Sequence, residues 1–136
     1  METNTKEEIF DIFNEQNNKI GEKPRGMVHR DGDYHRSVNV LLFNQTNELL
    51  VQLRMPTKDV CPDRWDLSVA EHLKPGETYQ EAAARGLAEE LGLRVPLRAL
   101  QQVGSTQLFK FEDPWLSIKD YEFQQLWRVS FDGPVH

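Results

Sequence analysis

A chain of 136 residues with 38% hydrophobic and 28% charged residues has the make-up of one soluble, globular domain with a core of its own. Its net charge of −6 excludes a broad basic face for a nucleic-acid polymer, but not a phosphorylated ligand, because a bound cation or a few basic side chains can reverse the field locally. No apolar run approaches the roughly 18 residues of a membrane span. The acidic, polar start METNTKEEIF is no secretory signal, and a single cysteine, Cys61, allows no internal disulfide. These features predict a cytoplasmic protein.

No repeat, low-complexity tract or linker divides the chain, so residues 1–136 are expected to form a single domain. Between Ile9 and Ile20, two short apolar pieces flank the polar turn NEQNN, the pattern of a hairpin. SVNVLLF (Ser37 to Phe43) and ELLVQLR (Glu48 to Arg54) are β-rich runs joined by the turn NQTN. The two prolines of MPTKDVCPDR then exclude helix or central strand. WDLSVA (Trp65 to Ala70) is a short strand candidate, followed by a KPGE turn.

One helix is predicted to start at Thr78, which forms a capping-box pattern with Glu81, and to end at the C-cap Gly92. Gly86 interrupts it at a cost of about 1 kcal/mol relative to alanine. Leu100 to Phe111 and Tyr121 to Phe131 are further strand candidates, with a long polar loop between them. Many strands around one capped helix predict a mixed α/β (α+β) sandwich.

On that helix, Gly86, Glu89 and Glu90 share a patch, and Glu77, Glu81, Arg85 and Glu89 form a stripe beside it. Opposite charges four apart (Glu81–Arg85 and Arg85–Glu89) describe a solvated, salt-bridged face. Equally, the carboxylates are hard oxygen ligands suited to Mg²⁺ or Mn²⁺, with Arg85 orienting one of them. Spacing by itself leaves both readings open.

The run EHLKPGETYQEAAARGLAEELGL, Glu71 to Leu93, resembles the Nudix box, with Glu77, Arg85, Leu87, Glu89, Glu90, Gly92 and Leu93 in register. Two positions depart: the leading glycine of the box is Glu71 here, and the Glu after its Arg is Gly86. HRSVNVLLFN and LLVQLRMPTKDVCPDRWDLSVAEH are similar to the isopentenyl-diphosphate-isomerase-like branch, which holds both isomerases and hydrolases. This likeness runs from about Asp11 to Arg128. The isomerases carry a cysteine two residues before the histidine matching His72; here that residue is Ala70, and Cys61 does not replace it. Isomerase proton transfer then lacks its acid, which disfavours that reaction.

The resemblance implies an α/β/α sandwich with a mixed sheet and one long helix, the C-terminal helix usual in the family being absent. An uncovered apolar surface there would favour a homodimer. It also implies hydrolysis of a diphosphate linkage in a nucleoside-diphosphate-type or related small molecule, dependent on Mg²⁺ or Mn²⁺. The alternative is a binding module of the same fold with impaired turnover. Glu90 and Glu89 are the implied metal ligands, held in place by Glu77 and Arg85. Glu71 either supplies from the preceding loop the carboxylate missing at Gly86 or points to solvent. Glu122, with Asp120 nearby in KDYEFQQLW, is the expected second acidic source.

Arg54 and Lys58, with Arg64 behind them, are the candidates for the diphosphate. His72 could serve substrate or metal; its isomerase counterpart is a metal ligand, within a set that includes His35 and His29. His35 is nevertheless expected to be a satisfied structural histidine. Trp65 and Trp127 are expected in the core, and Trp115 is free to stack on a base. Substrate choice is assigned to loops such as Gly104 to Asp120.

Overall fold

The computed structural model describes residues 7–50, 52–53, 65–66 and 69–132. The first hairpin forms where the sequence placed it: β1 (Ile9–Phe13) pairs antiparallel with β2 (Lys19–Pro24). Asn14 closes it, its Oδ1 accepting from the backbone N–H groups of Gln16 and Asn18, both at 3.0 Å. Pro24 ends β2 and caps the start of a short helix, α1 (Arg25–Asp31), which stops at Gly32 with φ 75°. α1 has no counterpart among the elements expected from the sequence. Only Val28 of its seven residues is buried, so it carries no amphipathic period.

β3 (Tyr34–Phe43) is the spine of a six-stranded mixed sheet. On one side it pairs with β1 at Phe13 and with β6 (Val69–His72) along Ser37 to Val40. On the other it runs parallel to β8 (Ile118–Ser130) over its whole length, and β7 (Gln101–Asp113) pairs antiparallel beyond that. Among the described residues, the run ELLVQLR is strand at β4 (Gln52–Leu53), which pairs with β5 (Trp65–Asp66), and a bridge joins Leu49 to Phe43.

The expected long loop after Phe111 is a tight turn instead. β7 and β8 are joined by residues 114–117, Asp113 Oδ1 accepting from the backbone of Trp115 and Leu116. Gly104, φ 72°, sits in a bulge of β7 rather than a loop. Polar residues at Lys110, Glu112 and Lys119 suggested a loop because this edge of the sheet is exposed on both faces.

Alternation along β3 divides the sheet. Val38, Val40 and Leu42 face the helix α2 (Tyr79–Leu91) and pack with Val69, Ala82, Ala83, Leu87 and Leu91 in the main core. Trp127 packs at the edge of this core, as expected; the Trp65 side chain lies outside the description. His35, Ser37 and Asn39 point to the opposite face, the one α1 covers. The layers are therefore α/β/α, as expected, with α2 the one long helix; among the described residues the short α1 supplies the layer on the opposite face.

α2 begins with the capping box read from the sequence: Glu81 N–H donates to Thr78 Oγ1 (3.1 Å) and Thr78 N–H to Glu81 Oε1 (2.9 Å). It ends in a Schellman arrangement at Gly92, with Leu93 N–H donating to Leu87 C=O at 3.1 Å.

Gly86 lies where α2 crosses β6. A Cβ there would stand 2.6 Å from Glu71 Cγ and 2.7 Å from Val69 Cγ1, well inside contact distance. The glycine thus buys close approach of helix and strand, with the Glu71 side chain passing over the gap. Gly86→Ala should therefore destabilise by about 1–2 kcal/mol, overpacking outweighing the helix-propensity gain. In a Glu71→Ala background the loss should shrink, which a double-mutant cycle by urea denaturation will read as coupling.

Candidate active site

Parallel pairing sets His35 of β3 directly beside Glu122 of β8, while the antiparallel register of β6 puts His72 beside Ser37 on the same face. Asp120 follows two residues before Glu122 along that face, and α1 brings His29 over the group. His35 Nε2 lies 3.5 Å from Asp120 Oδ1 and 3.7 Å from Glu122 Oε2. His72 Nε2 is 3.8 Å from Glu122 Oε2, and His29 Nε2 is 3.7 Å from Asp120 Oδ1. Phe10 of β1 forms a wall, its ring stacked on His35 at 5.0 Å between centroids.

Within this cluster, one nitrogen from each of His29, His35 and His72 falls within 4.8 Å of the others, and so do one atom each from His35, Asp120 and Glu122. His35 is only 1% exposed, yet neither of its ring nitrogens has a hydrogen-bond partner. His29 Nε2 and Asp120 Oδ1 are likewise buried without one. This corrects the expectation of a satisfied structural His35. Buried polar atoms left unpaired cost about 1–3 kcal/mol each, and native proteins rarely tolerate several together. Converging unpaired imidazole and carboxylate atoms form a donor set that fits a divalent cation.

The electrostatics agree. Burial, then the neighbouring His35, Arg25 and His72, push His29 down to about 4, which keeps its imidazole neutral and able to ligate. Burial, then Glu122 beside it, raises Asp120 to about 8. Burial also works to raise Glu122, but the neighbouring His35, His72 and Asp120 outweigh it and hold Glu122 well below the usual carboxylate range. The two acids share their charge unequally.

A second acidic group lies on the α2 side of β6 and is organised by Arg85. Its Nε and Nη2 donate to Glu77 at 2.8 and 2.9 Å, a bidentate pair. Nη1 donates to Glu71 Oε1 (3.1 Å) and Glu89 Oε1 (3.0 Å), and Nη2 also to the His72 carbonyl (2.8 Å). Burial would raise Glu77, but Arg85 and the Lys74 N–H more than compensate, keeping it ionised. Glu71 therefore does not project freely into solvent. Glu81, expected to pair with Arg85, is taken up by the helix cap instead. Glu89 and Glu90 are exposed on the same helix.

Glu122 belongs with the histidines rather than with Glu71 and Glu89. Sequence reasoning left Asp120 as a mere neighbour and gave His35 no site role; the strand pairing that unites them has no local signature. Arg54, Lys58, Arg64 and Cys61 lie outside the described residues. Ala70 is exposed on the histidine face and paired with Asn39, so no thiol stands there.

A mixed sheet between two helices, with a capped glutamate-rich helix beside a histidine and carboxylate cluster, defines an α/β/α domain with a candidate cation site. The sequence profile of the NUDIX domain matches residues 33–135, and the chain belongs to that family. It is 48% identical over 99 residues to Nudix hydrolase 3 of Arabidopsis thaliana, covering 71% of this chain and 13% of that protein. To an isopentenyl-diphosphate Delta-isomerase of Photorhabdus laumondii it is 33% identical over 92 residues, 68% of this chain and 52% of that one. The chain thus spans only part of the length of both relatives. The crystal structure of DR0079 from Deinococcus radiodurans superposes with a TM-score of 0.67 at 27% identity, covering 94% of this chain and 75% of the other.

A cation entering the cluster must displace the proton on Asp120, so its affinity should climb by up to about tenfold per pH unit and level off near pH 8. Mn²⁺ binding followed by electron paramagnetic resonance from pH 6 to 9 checks the slope. His35→Ala should weaken binding at every pH.

Proposed function

We propose that the chain is a divalent-metal-dependent hydrolase of a diphosphate linkage in a small molecule, of the nucleoside-diphosphate type or a related one. The observation that carries this reading is the cluster of buried, unpartnered donors at His29, His35 and Asp120, completed by His72 and Glu122. These five residues would hold the ion, Mn²⁺ or Mg²⁺. Bound there, it would neutralise phosphate charge and lower the pKa of a coordinated water.

The chain's own residues divide the remaining work. Glu89 and Glu90 on the rigid helix α2, with Glu71 from β6, are proposed as the catalytic carboxylates facing the diphosphate, and as its further cation ligands. Glu71 takes the part of the carboxylate absent at Gly86; its Cγ fills the space over that glycine, which supports the assignment. Arg85 and Glu77 fix the orientation of Glu71 and Glu89 before substrate arrives. Arg54 and Lys58, with Arg64 behind them, are proposed donors to the diphosphate oxygens, and His72 stands at the border between cation and substrate. Isomerisation is disfavoured by Ala70, which offers no proton. The setting is proposed to be cytoplasmic, with a second copy of the chain as the partner suited to exposed Leu108, Trp115 and Leu116.

The test is product release from a panel of diphosphate compounds with Mn²⁺ or Mg²⁺. Wild type should turn over at least one of them, chelation should abolish the signal, and Glu90→Gln and Glu122→Gln should each lower kcat at least a hundredfold. Signal that survives in both variants belongs to a contaminant and overturns the reading. Glu71→Gln should weaken Mn²⁺ binding about tenfold by losing a charged oxygen ligand; unchanged affinity removes Glu71 from the ligand set.

A further inference from the structure

Glu122 is 6% exposed, and its two carboxylate oxygens meet different neighbours. Oε2 faces the imidazoles, 3.7 Å from His35 Nε2 and 3.8 Å from His72 Nε2. Oε1 accepts from Gln124 Nε2 at 3.3 Å. The sheet explains why that task falls to Gln124. Four residues adjoin Glu122 on its face: Asp120 and Gln124 along β8, His35 across on β3 and Phe109 across on β7. Phe109 has no donor, and His35 Nε2 is directed at Oε2. Asp120 has no proton to give once a cation has displaced it. Of the four, Gln124 is left to hold Oε1.

The neighbours of Gln124 do not compete for its amide. Ser37 of β3 and Gln107 of β7 flank it in register. Ser37 is buried and its Oγ has no hydrogen-bond partner, while Gln107 Nε2 donates to Ser105 Oγ at 3.0 Å. The Gln124 amide is also neutral. It restrains one oxygen without cancelling the charge that a cation needs, as a lysine or arginine there would. Gln124 further lines a cavity of about 310 Å³ with Asn39, Gln107 and Leu126, which gives water room beside this end of the cluster.

A carboxylate gives a cation either one oxygen or both, and Mg²⁺ and Mn²⁺ favour six donors. His29, His35, His72, Asp120 and Glu122, with one atom each, supply five. Resting on the cation reading of this cluster, we propose that Gln124 is a positioning residue. It holds Oε1 of Glu122 back, so that Glu122 meets the cation through Oε2 alone and the sixth place stays open to water. Without the amide, Oε1 turns in beside Oε2 and takes that place, which shuts out the water that hydrolysis needs. Hydrogen bonds to a ligating carboxylate commonly orient it in this manner. Gln124 itself touches neither cation nor substrate.

The test counts the water molecules on bound Mn²⁺, from the relaxation the ion imparts to solvent protons. Every sample is saturated with the ion, so that differences in affinity do not enter. Every sample also carries Glu89→Gln and Glu90→Gln, which keep the ion off the exposed carboxylates of α2. This parent protein should hold one water on its Mn²⁺. Gln124→Met, similar in length but without a donor, should hold none, and Gln124→Leu gives the same reading should the methionine variant fold poorly. Ser37→Ala removes a buried polar neighbour that makes no bond to Glu122, and it should leave the count unchanged. A merely supporting role for Gln124 would lower affinity and keep the parent's water count, and that result overturns the proposal. A parent whose Mn²⁺ carries no water does so too. If the parent takes up no Mn²⁺, or binds it as tightly with His35→Ala, the cation reading itself falls and this inference falls with it.

Discussion

The parallel pairing of β3 with β8 is the constraint on which the site depends. Ten consecutive residue pairs, from Tyr34 with Tyr121 to Phe43 with Ser130, lock the register of two strands that are far apart in sequence. A slip of one residue would turn His35 toward the core and replace Glu122 by an apolar neighbour. The register is held because the alternate residues Val38, Val40, Leu42, Phe123 and Val129 are all buried. The hydrophobic core therefore positions the polar cluster without touching it. β6 and β1 add His72 and Phe10 along the free edge of β3, and α1 closes the group with His29.

On the other side of β6, the same logic runs through a single cation. Arg85 gathers Glu77, Glu71 and Glu89 and reaches the His72 carbonyl, so one side chain ties helix, turn and strand together. This knot requires the close approach that Gly86 allows. The departures from the Nudix pattern at positions 71 and 86 are then one structural event rather than two. A longer side chain on the strand needs the space that a missing side chain on the helix provides. Arg85 is partly buried, where its pairs are less screened than on an open surface, and it preorganises carboxylates that would otherwise repel one another.

What could be read from the sequence followed how local each signal was. α2 was legible from Thr78 to Gly92 because both caps and the helical period lie within fifteen consecutive residues. The first hairpin was legible from NEQNN. α1 was invisible, since RGMVHRD buries one residue and is held by tertiary contact rather than by its own pattern. The β7–β8 connection was misjudged because an edge strand exposed on both faces has the polarity of a loop. Glu122 was legible as an acid on a strand, but its partners were not. His29, His35, His72 and Asp120 come from α1, β3, β6 and β8, and only the register of two pairings makes them neighbours. His35 looked structural because buried histidines usually are; its two unpaired nitrogens are a fact of packing that no spacing encodes.

Those unpaired atoms bear on why the cluster persists. A fold selected only for stability would replace His35, Asp120 and Glu122 by apolar residues of similar volume, since exchanging a buried ionic group for packed hydrophobes is often neutral or stabilising. Asp120, raised to about 8, and His29, lowered to about 4, both show how far burial pushes these groups from their ordinary state. The strain is offset once a ligand satisfies all of the donors together, and such a ligand then adds to folding stability through its preferential binding to the native state. A divalent cation meets three imidazoles and two carboxylates with a charge and coordination that water or a lone proton does not supply. The pattern of perturbation is therefore one that packing alone does not account for, and it supports the cation site proposed above.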